Sequence, residues 1–155
     1  MRYALDCEFD GHGGPLISMA LVPFSGSDAY YVYNPNYEPK DPWVAENVMP
    51  ILEQIPDGIR YDVDTPEWYG VYLRDYLYSV MQDPAPQIYA DSPVDIWRFC
   101  QAISTDSHGN WRSTDFPSMS FEVYNVDCWP NEHLPEGAVQ HNAYWDARAL
   151  ITRIK

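Results

Sequence analysis

Two acids stand inside an otherwise apolar opening segment, Arg2-Tyr3-Ala4-Leu5-Asp6-Cys7-Glu8-Phe9. The apolar Tyr3, Ala4 and Leu5 lead into them, so the segment reads as a central strand rather than a solvent-facing edge. Side chains alternate across a strand, which sends Asp6 and Glu8 to the same face. Carboxylates in the middle of a sheet are costly unless something compensates their charge. Any fold that accepts this strand has to bring a compensating group to that face. Two further stretches supply candidates: a lone acid, Asp95, in Ser92-Pro93-Val94-Asp95-Ile96-Trp97, and the late run His141-Asn142-Ala143-Tyr144-Trp145-Asp146-Ala147.

The rest of the chain gives the frame. Asp10-Gly11-His12-Gly13-Gly14-Pro15 is a turn cluster; no strand–glycine loop–helix pattern with a lysine follows, so it reads as a hairpin turn rather than a phosphate cradle. Leu16 to Phe24 and Ala29 to Tyr33 are the next two strands, joined by the turn Ser25-Gly26-Ser27-Asp28. Three strands linked by short turns predict an antiparallel meander. Asp41-Pro42 places an N-cap before a proline at the first helical position, opening a helix to about Leu52. Asp64-Thr65-Pro66-Glu67 repeats that signal. Trp68, Val71, Tyr72, Leu73, Tyr76, Leu77, Val80 and Met81 follow at helical spacing, which predicts a longer helix ending near Gln82. Gln87 to Asp91 reads as a short strand, Ser92-Pro93 opens a helix to about Ile103, residues 104–117 form a polar loop, Phe121 to Val126 is a strand, and Tyr144 to Ile154 is a closing helix. This order predicts an α/β fold in which a mixed sheet, part antiparallel meander and part parallel strands, is flanked by helices.

Composition sets the outer bounds. At 155 residues, with 46% apolar residues, six Trp and thirteen Tyr, the chain is expected to form one domain spanning residues 1–155 with a real core. It contains no apolar run of membrane-spanning length and opens on a strand pattern rather than an export signal. The three cysteines, Cys7, Cys100 and Cys128, form no CxxC pair; an odd count without such spacing argues against a disulfide framework or a structural zinc site and predicts a reducing, cytoplasmic setting. The net charge of −14 pulls against a long nucleic-acid groove, because such grooves are basic. An enzyme that grips only a chain end through metal ions tolerates this acidity.

The chemistry of the acids points the same way. Four carboxylates gathered in one cleft repel each other unless divalent cations bind between them. Hard oxygen ligands suit Mg²⁺ or Mn²⁺, and two such ions roughly 3.5–4 Å apart activate a water and stabilise a leaving oxygen in phosphodiester cleavage. His141, five residues before Asp146, supplies a base near neutral pH. The expected reaction class is metal-dependent phosphodiester hydrolysis.

Leu5-Asp6-Cys7-Glu8-Phe9, Asp95 opening a helix after a strand, and His141-x-x-x-x-Asp146-Ala147 together resemble the DEDDh branch of the 3′-5′ exonucleases, and most closely a group of small bacterial and phage 3′-5′ exoribonucleases. The motifs span residues 6–146. The resemblance implies an RNase H-like fold and a two-metal site holding two Mg²⁺ or Mn²⁺ ions. In that reading Asp6 bridges the ions, and Glu8 binds one and orients the attacking water. Asp146 ligates from the closing helix, Asp95 acts mostly through bound water, and His141 takes the proton. It also implies release of nucleoside 5′-monophosphates from single-stranded RNA or an RNA 3′ overhang, and pairing into a homodimer, as related small exonucleases often do. Phe9 stands where related enzymes stack a terminal base, although a core position suits it equally. Arg112, beside Trp111 in the polar loop, is the candidate phosphate contact.

Alternatives stay open at this point. Asp91 competes with Asp95 for the middle position, and Asp95 also has the spacing of a capping box with Ser92. DNA competes with RNA, because nothing in the sequence locates a partner for the 2′-hydroxyl. A chain this acidic also fits a non-catalytic interaction protein that occupies nucleic-acid sites on others.

Overall fold

The computed structural model describes residues 1–26, 28–80, 85–113, 118–124 and 134–154. Among these residues six strands form one sheet: β1 (Arg2–Phe9), β2 (Leu16–Pro23), β3 (Tyr30–Tyr33), β4 (Arg60–Asp62), β5 (Gln87–Ala90) and β6 (Ser120–Val123), in the order β4-β3-β2-β1-β5-β6. β1, β2 and β3 are the expected antiparallel meander, whereas β5 pairs with β1, β6 with β5, and β4 with β3 in parallel. Only β2 therefore runs against the rest. Four helices, α1 (Pro42–Asn47), α2 (Glu67–Val80), α3 (Pro93–Ile103) and α4 (Ala143–Arg153), flank this mixed sheet in an RNase H-like arrangement.

Alternation along β1 divides the core in two. Tyr3, Leu5 and Cys7 face α2 and α3, where they meet Leu73, Leu77, Phe99 and Ile103. Ala4 faces the other way, into a layer formed with Tyr31, Tyr33, Val44, Ala147 and Leu150, and α4 lies across β1 and β2 on that side. Asp6 and Glu8 share the parity of Ala4, so the strand's own pleat assigns them to the α4 face. The buried tyrosines satisfy their hydroxyls on backbone carbonyls: Tyr30 donates to Tyr69 O (2.9 Å), Tyr31 to Leu52 O (2.9 Å) and Tyr69 to Ile17 O (2.6 Å).

On the far face α2 and α3 pack closely. A Cβ at Gly70 would collide with the Ala102 carbonyl, so the crossing requires glycine there. The buried Arg74 of α2 donates to Ile103 O (3.2 Å) and Thr105 O (2.6 Å), placing a cation on the free carbonyls at the end of α3.

The structure departs from the sequence expectations in three places. The helix expected from Asp41 to Leu52 stops at Asn47 and gives way to a 3₁₀ turn over Met49–Ile51. Pro50 is the reason: it has no N–H to donate and disfavours helical geometry at the residue before it. The strand β4 has no counterpart in the sequence reading; its three residues are all exposed, and it pairs along the edge of β3 with the Tyr61 ring stacked on Tyr72 of α2. The strand expected at Phe121–Val126 starts one residue earlier, at Ser120, and is seen to Val123; residues 125 and 126, like the expected end of α2 at 81 and 82, lie outside the described residues. No described helix is long and apolar enough to cross a membrane.

Candidate metal centre

Five carboxylates converge where β1 and β5 end and where α3 and α4 begin. Asp6 and Glu8 come from β1. Asp91 follows the last residue of β5, whose Ala90 is in register with Leu5, so strand pairing sets it beside Asp6. Asp95 lies in the first turn of α3 and Asp146 in that of α4. Oxygens of Asp6, Asp91 and Asp95 lie within 4.8 Å of one another, and so do oxygens of Asp6, Glu8 and Asp146. Asp6 belongs to both groups. The structure thus brings together Asp6, Glu8, Asp95 and Asp146, and it places Asp91 beside them as well.

Each helix N-terminus holds its own acid. Ser92 caps α3 by accepting Val94 N–H (3.1 Å), and the Ser92 N–H donates to the Asp95 carboxylate. Only the carboxylate half of the capping box expected at this position forms, since Ser92 accepts the N–H of Val94 rather than that of Asp95; the same carboxylate faces Asp6. At α4, Asn142 accepts Tyr144 N–H (3.1 Å) as the cap, while Asp146 Oδ2 accepts His141 N–H (2.9 Å) and the carboxylate also accepts Asn142 N–H. Asn142 is fully buried and donates to Ile51 O (2.8 Å), which ties the His141–Asn142 corner to the 3₁₀ turn that Pro50 creates.

The clustered acids raise one another's pKa values. Burial, then the charges of Asp95, Asp146, Glu8 and Asp91, pushes the Asp6 carboxyl well above the usual range. Burial, then Asp146, does the same to Glu8, which hydrogen-bonds Asp146. Burial and then Asp91 raise Asp95 to about 8, and burial raises Asp146 to about 7 against the lowering pull of the His141 N–H. Like charges packed this closely in a desolvated site are held either by shared protons or by metal. The donor set decides which metal fits: every ligand atom in the two groups is a carboxylate oxygen, hard and anionic, with no sulfur or imidazole among them. That set suits Mg²⁺ or Mn²⁺. Oxygens within about 4–5 Å of each other are spaced for ions whose bonds to oxygen are roughly 2.0–2.4 Å long.

His141 enters through its backbone, whose N–H anchors Asp146. Its φ of 65° is left-handed, uncommon for a residue other than glycine. The imidazole meets the Trp43 indole edge-on, ring centroids 4.8 Å apart, and burial pulls its pKa below the ordinary histidine value. Trp43 had no signal in the sequence beyond its place on a short helix. Phe9, after a bulge at the end of β1, is half-buried and packs on the α2–α3 side, with the Arg98 guanidinium 5.7 Å from its ring. Arg98 donates to the carbonyls of Gly13 and Gly14, binding α3 to the β1–β2 turn. Arg112 is exposed, and its N–H donates to Ser104 O (2.8 Å). That places it at the end of α3 remote from Asp95, about 13 Å along the helix, so the structure does not bring it to the acids.

No family model matches the chain, and no curated protein matches it either.

Proposed function

We propose that this protein is a metal-dependent phosphodiesterase that removes nucleotides from the 3′ end of RNA and releases nucleoside 5′-monophosphates. One observation carries the reading: Asp6 is common to two groups of three carboxylates, the ligand arrangement that two adjacent divalent cations require. The DEDDh resemblance adds the order of the motifs, and the RNase H-like sheet adds a scaffold on which they converge.

In this reading Asp6, Glu8, Asp91, Asp95 and Asp146 hold two Mg²⁺ or Mn²⁺ ions. Bound there, the ions supply positive charge for the phosphate and its leaving oxygen. Glu8 orients the attacking water from the strand face, and His141 accepts its proton at an imidazole whose pKa burial lowers. The shortage of cationic side chains fits a substrate held by its end: the chain has nine Lys and Arg against 23 Asp and Glu. Few phosphates are then contacted, and binding should fall gently with added salt.

The test is a matched digestion of labelled RNA and DNA oligonucleotides, single-stranded and with 3′ overhangs, in Mg²⁺ and in Mn²⁺. RNA should shorten from its 3′ end with release of 5′-monophosphates, and Asp6→Ala should abolish the activity. Faster cleavage of DNA would move the substrate to the deoxy series. An inert wild type with every metal and substrate would refute the hydrolase and leave the acidic interaction protein.

A further inference from the structure

The proposed general base has an unusual support. A left-handed backbone at His141 fixes where the residue starts but not where its ring points, because the side-chain torsions still offer several staggered positions. The edge-on contact with Trp43, interplanar angle 81°, supplies a wall for that ring. Trp43 is itself 49% exposed, so core packing does not hold it in place.

Its position comes from α1, and α1 has only six residues, too few to stand alone. Two grips hold the helix. Val44 and Val48 are buried in the α4-side core. At the other end, the Asp10 carboxylate accepts the N–H groups of Lys40 (2.9 Å) and Asp41 (2.9 Å) and the Tyr37 hydroxyl (3.0 Å), while Asp41 caps Trp43 N–H (2.9 Å). Asp10 stands two residues beyond Glu8, just past the end of β1. The strand that carries two of the site's acids therefore also fixes the helix that carries Trp43.

We propose that Trp43, clamped by Asp10, is a positioning residue that orients the His141 imidazole for proton transfer; this rests on the hydrolase reading above. Trp43→Leu should lower kcat about 10- to 100-fold, the scale of a misplaced catalytic group, with KM and Mg²⁺ affinity unchanged. Trp43→Phe keeps an aromatic wall and should retain most of the rate. In a His141→Ala background Trp43→Leu should cost nothing more, since a residue acting only through the imidazole has nothing left to orient. A full loss in that background, or a raised KM at constant kcat, would mean that the indole touches substrate directly, and would overturn the proposal.

A readout independent of turnover separates the two readings. In metal-free protein the His141 ring protons should be displaced in the NMR spectrum by the indole ring current. The displacement should vanish in Trp43→Leu, weaken in Asp10→Ala and survive in Trp43→Phe. Signals that ignore Trp43→Leu would sink the positioning role while leaving the hydrolase untouched. Signals that respond in a protein inert toward every substrate would sink the hydrolase reading and, with it, the role assigned to Trp43.

Discussion

Asp6 illustrates how a single residue sets function against stability. Its carboxyl is buried and faces four other acids, each of which raises the cost of its charge. Without metal, that charge is a liability the fold carries for its site. Replacing it with the near-isosteric, neutral amide in Asp6→Asn should raise the stability of metal-free protein by about 1–2 kcal/mol, or roughly 2–8 °C in Tm for a domain of this size, while abolishing the proposed RNA hydrolysis. Thermal unfolding in EDTA measures the first effect; a variant less stable than wild type there would show that the acids do not repel as their packing implies. His141 makes the complementary case. In the proposed reading it contributes a base rather than a ligand, so His141→Ala should lower the rate by about 10²–10⁴-fold with Mg²⁺ affinity intact. Loss of metal binding in isothermal titration would reassign the residue.

At the scale of elements, the start of α4 decides whether the site assembles. Asn142 both caps the helix and donates to Ile51 O, so Asn142→Ala removes a cap and one of the two hydrogen bonds that the Ile51 carbonyl accepts, the other coming from Gln54 N–H. The two losses should together cost about 1–3 kcal/mol, read as a lower urea midpoint at unchanged m-value; a cost below about 0.5 kcal/mol would mean that the corner is held by something else. This junction also marks the limit of what the sequence reveals. The strands of the meander and the starts of α1 and α3 were legible because alternation, turn clusters and proline at the first helical turn are local signals. The acids of β1 were legible because a strand's parity fixes its faces. The split of the first helix was not, because Pro50 lay inside an otherwise helical reading. β4 was invisible because Arg60–Asp62 carries no pattern of its own and becomes a strand only where β3 offers an edge. The rivalry between Asp91 and Asp95 could not be resolved from sequence, since capping a helix and facing Asp6 are not exclusive, and only the register of β5 on β1 shows both acids in place. Trp43 against His141 is a contact between distant segments, which local signals cannot report. Arg112 was chosen for its charge in a polar loop, and the length of α3 sets it at the end remote from Asp95.

For the molecule as a whole, the clustered acids make stability depend on pH in a direction opposite to that of an ordinary salt-bridged protein. Asp95 and Asp146 are raised to about 8 and about 7 in the folded chain, against roughly 3.9 for an unfolded aspartate. Between those limits the native state binds more protons than the unfolded state, so stability falls as pH rises. The contribution is fully present below the unfolded value near pH 4 and is lost as pH climbs through 7 to 8. His141 has the opposite sign: burial lowers its pKa, so its contribution is lost as pH falls, and it offsets part of the trend below pH 7. The acids outnumber it, and metal-free protein should therefore show a Tm that declines from pH 5 to pH 8. Cations and protons compete for the same oxygens. Millimolar Mg²⁺ should accordingly stabilise the protein far more at pH 8, where the carboxylates are already ionised, than at pH 5, where protons must first be displaced; at a hundredfold excess over its Kd the gain is about 2.7 kcal/mol. Scanning calorimetry at the two pH values, with EDTA and with Mg²⁺, gives all four numbers. A Tm that does not change with pH in EDTA, or a metal shift of the same size at both pH values, would mean that the five acids do not share one desolvated site, and the case for a pair of cations on Asp6 would fall with it.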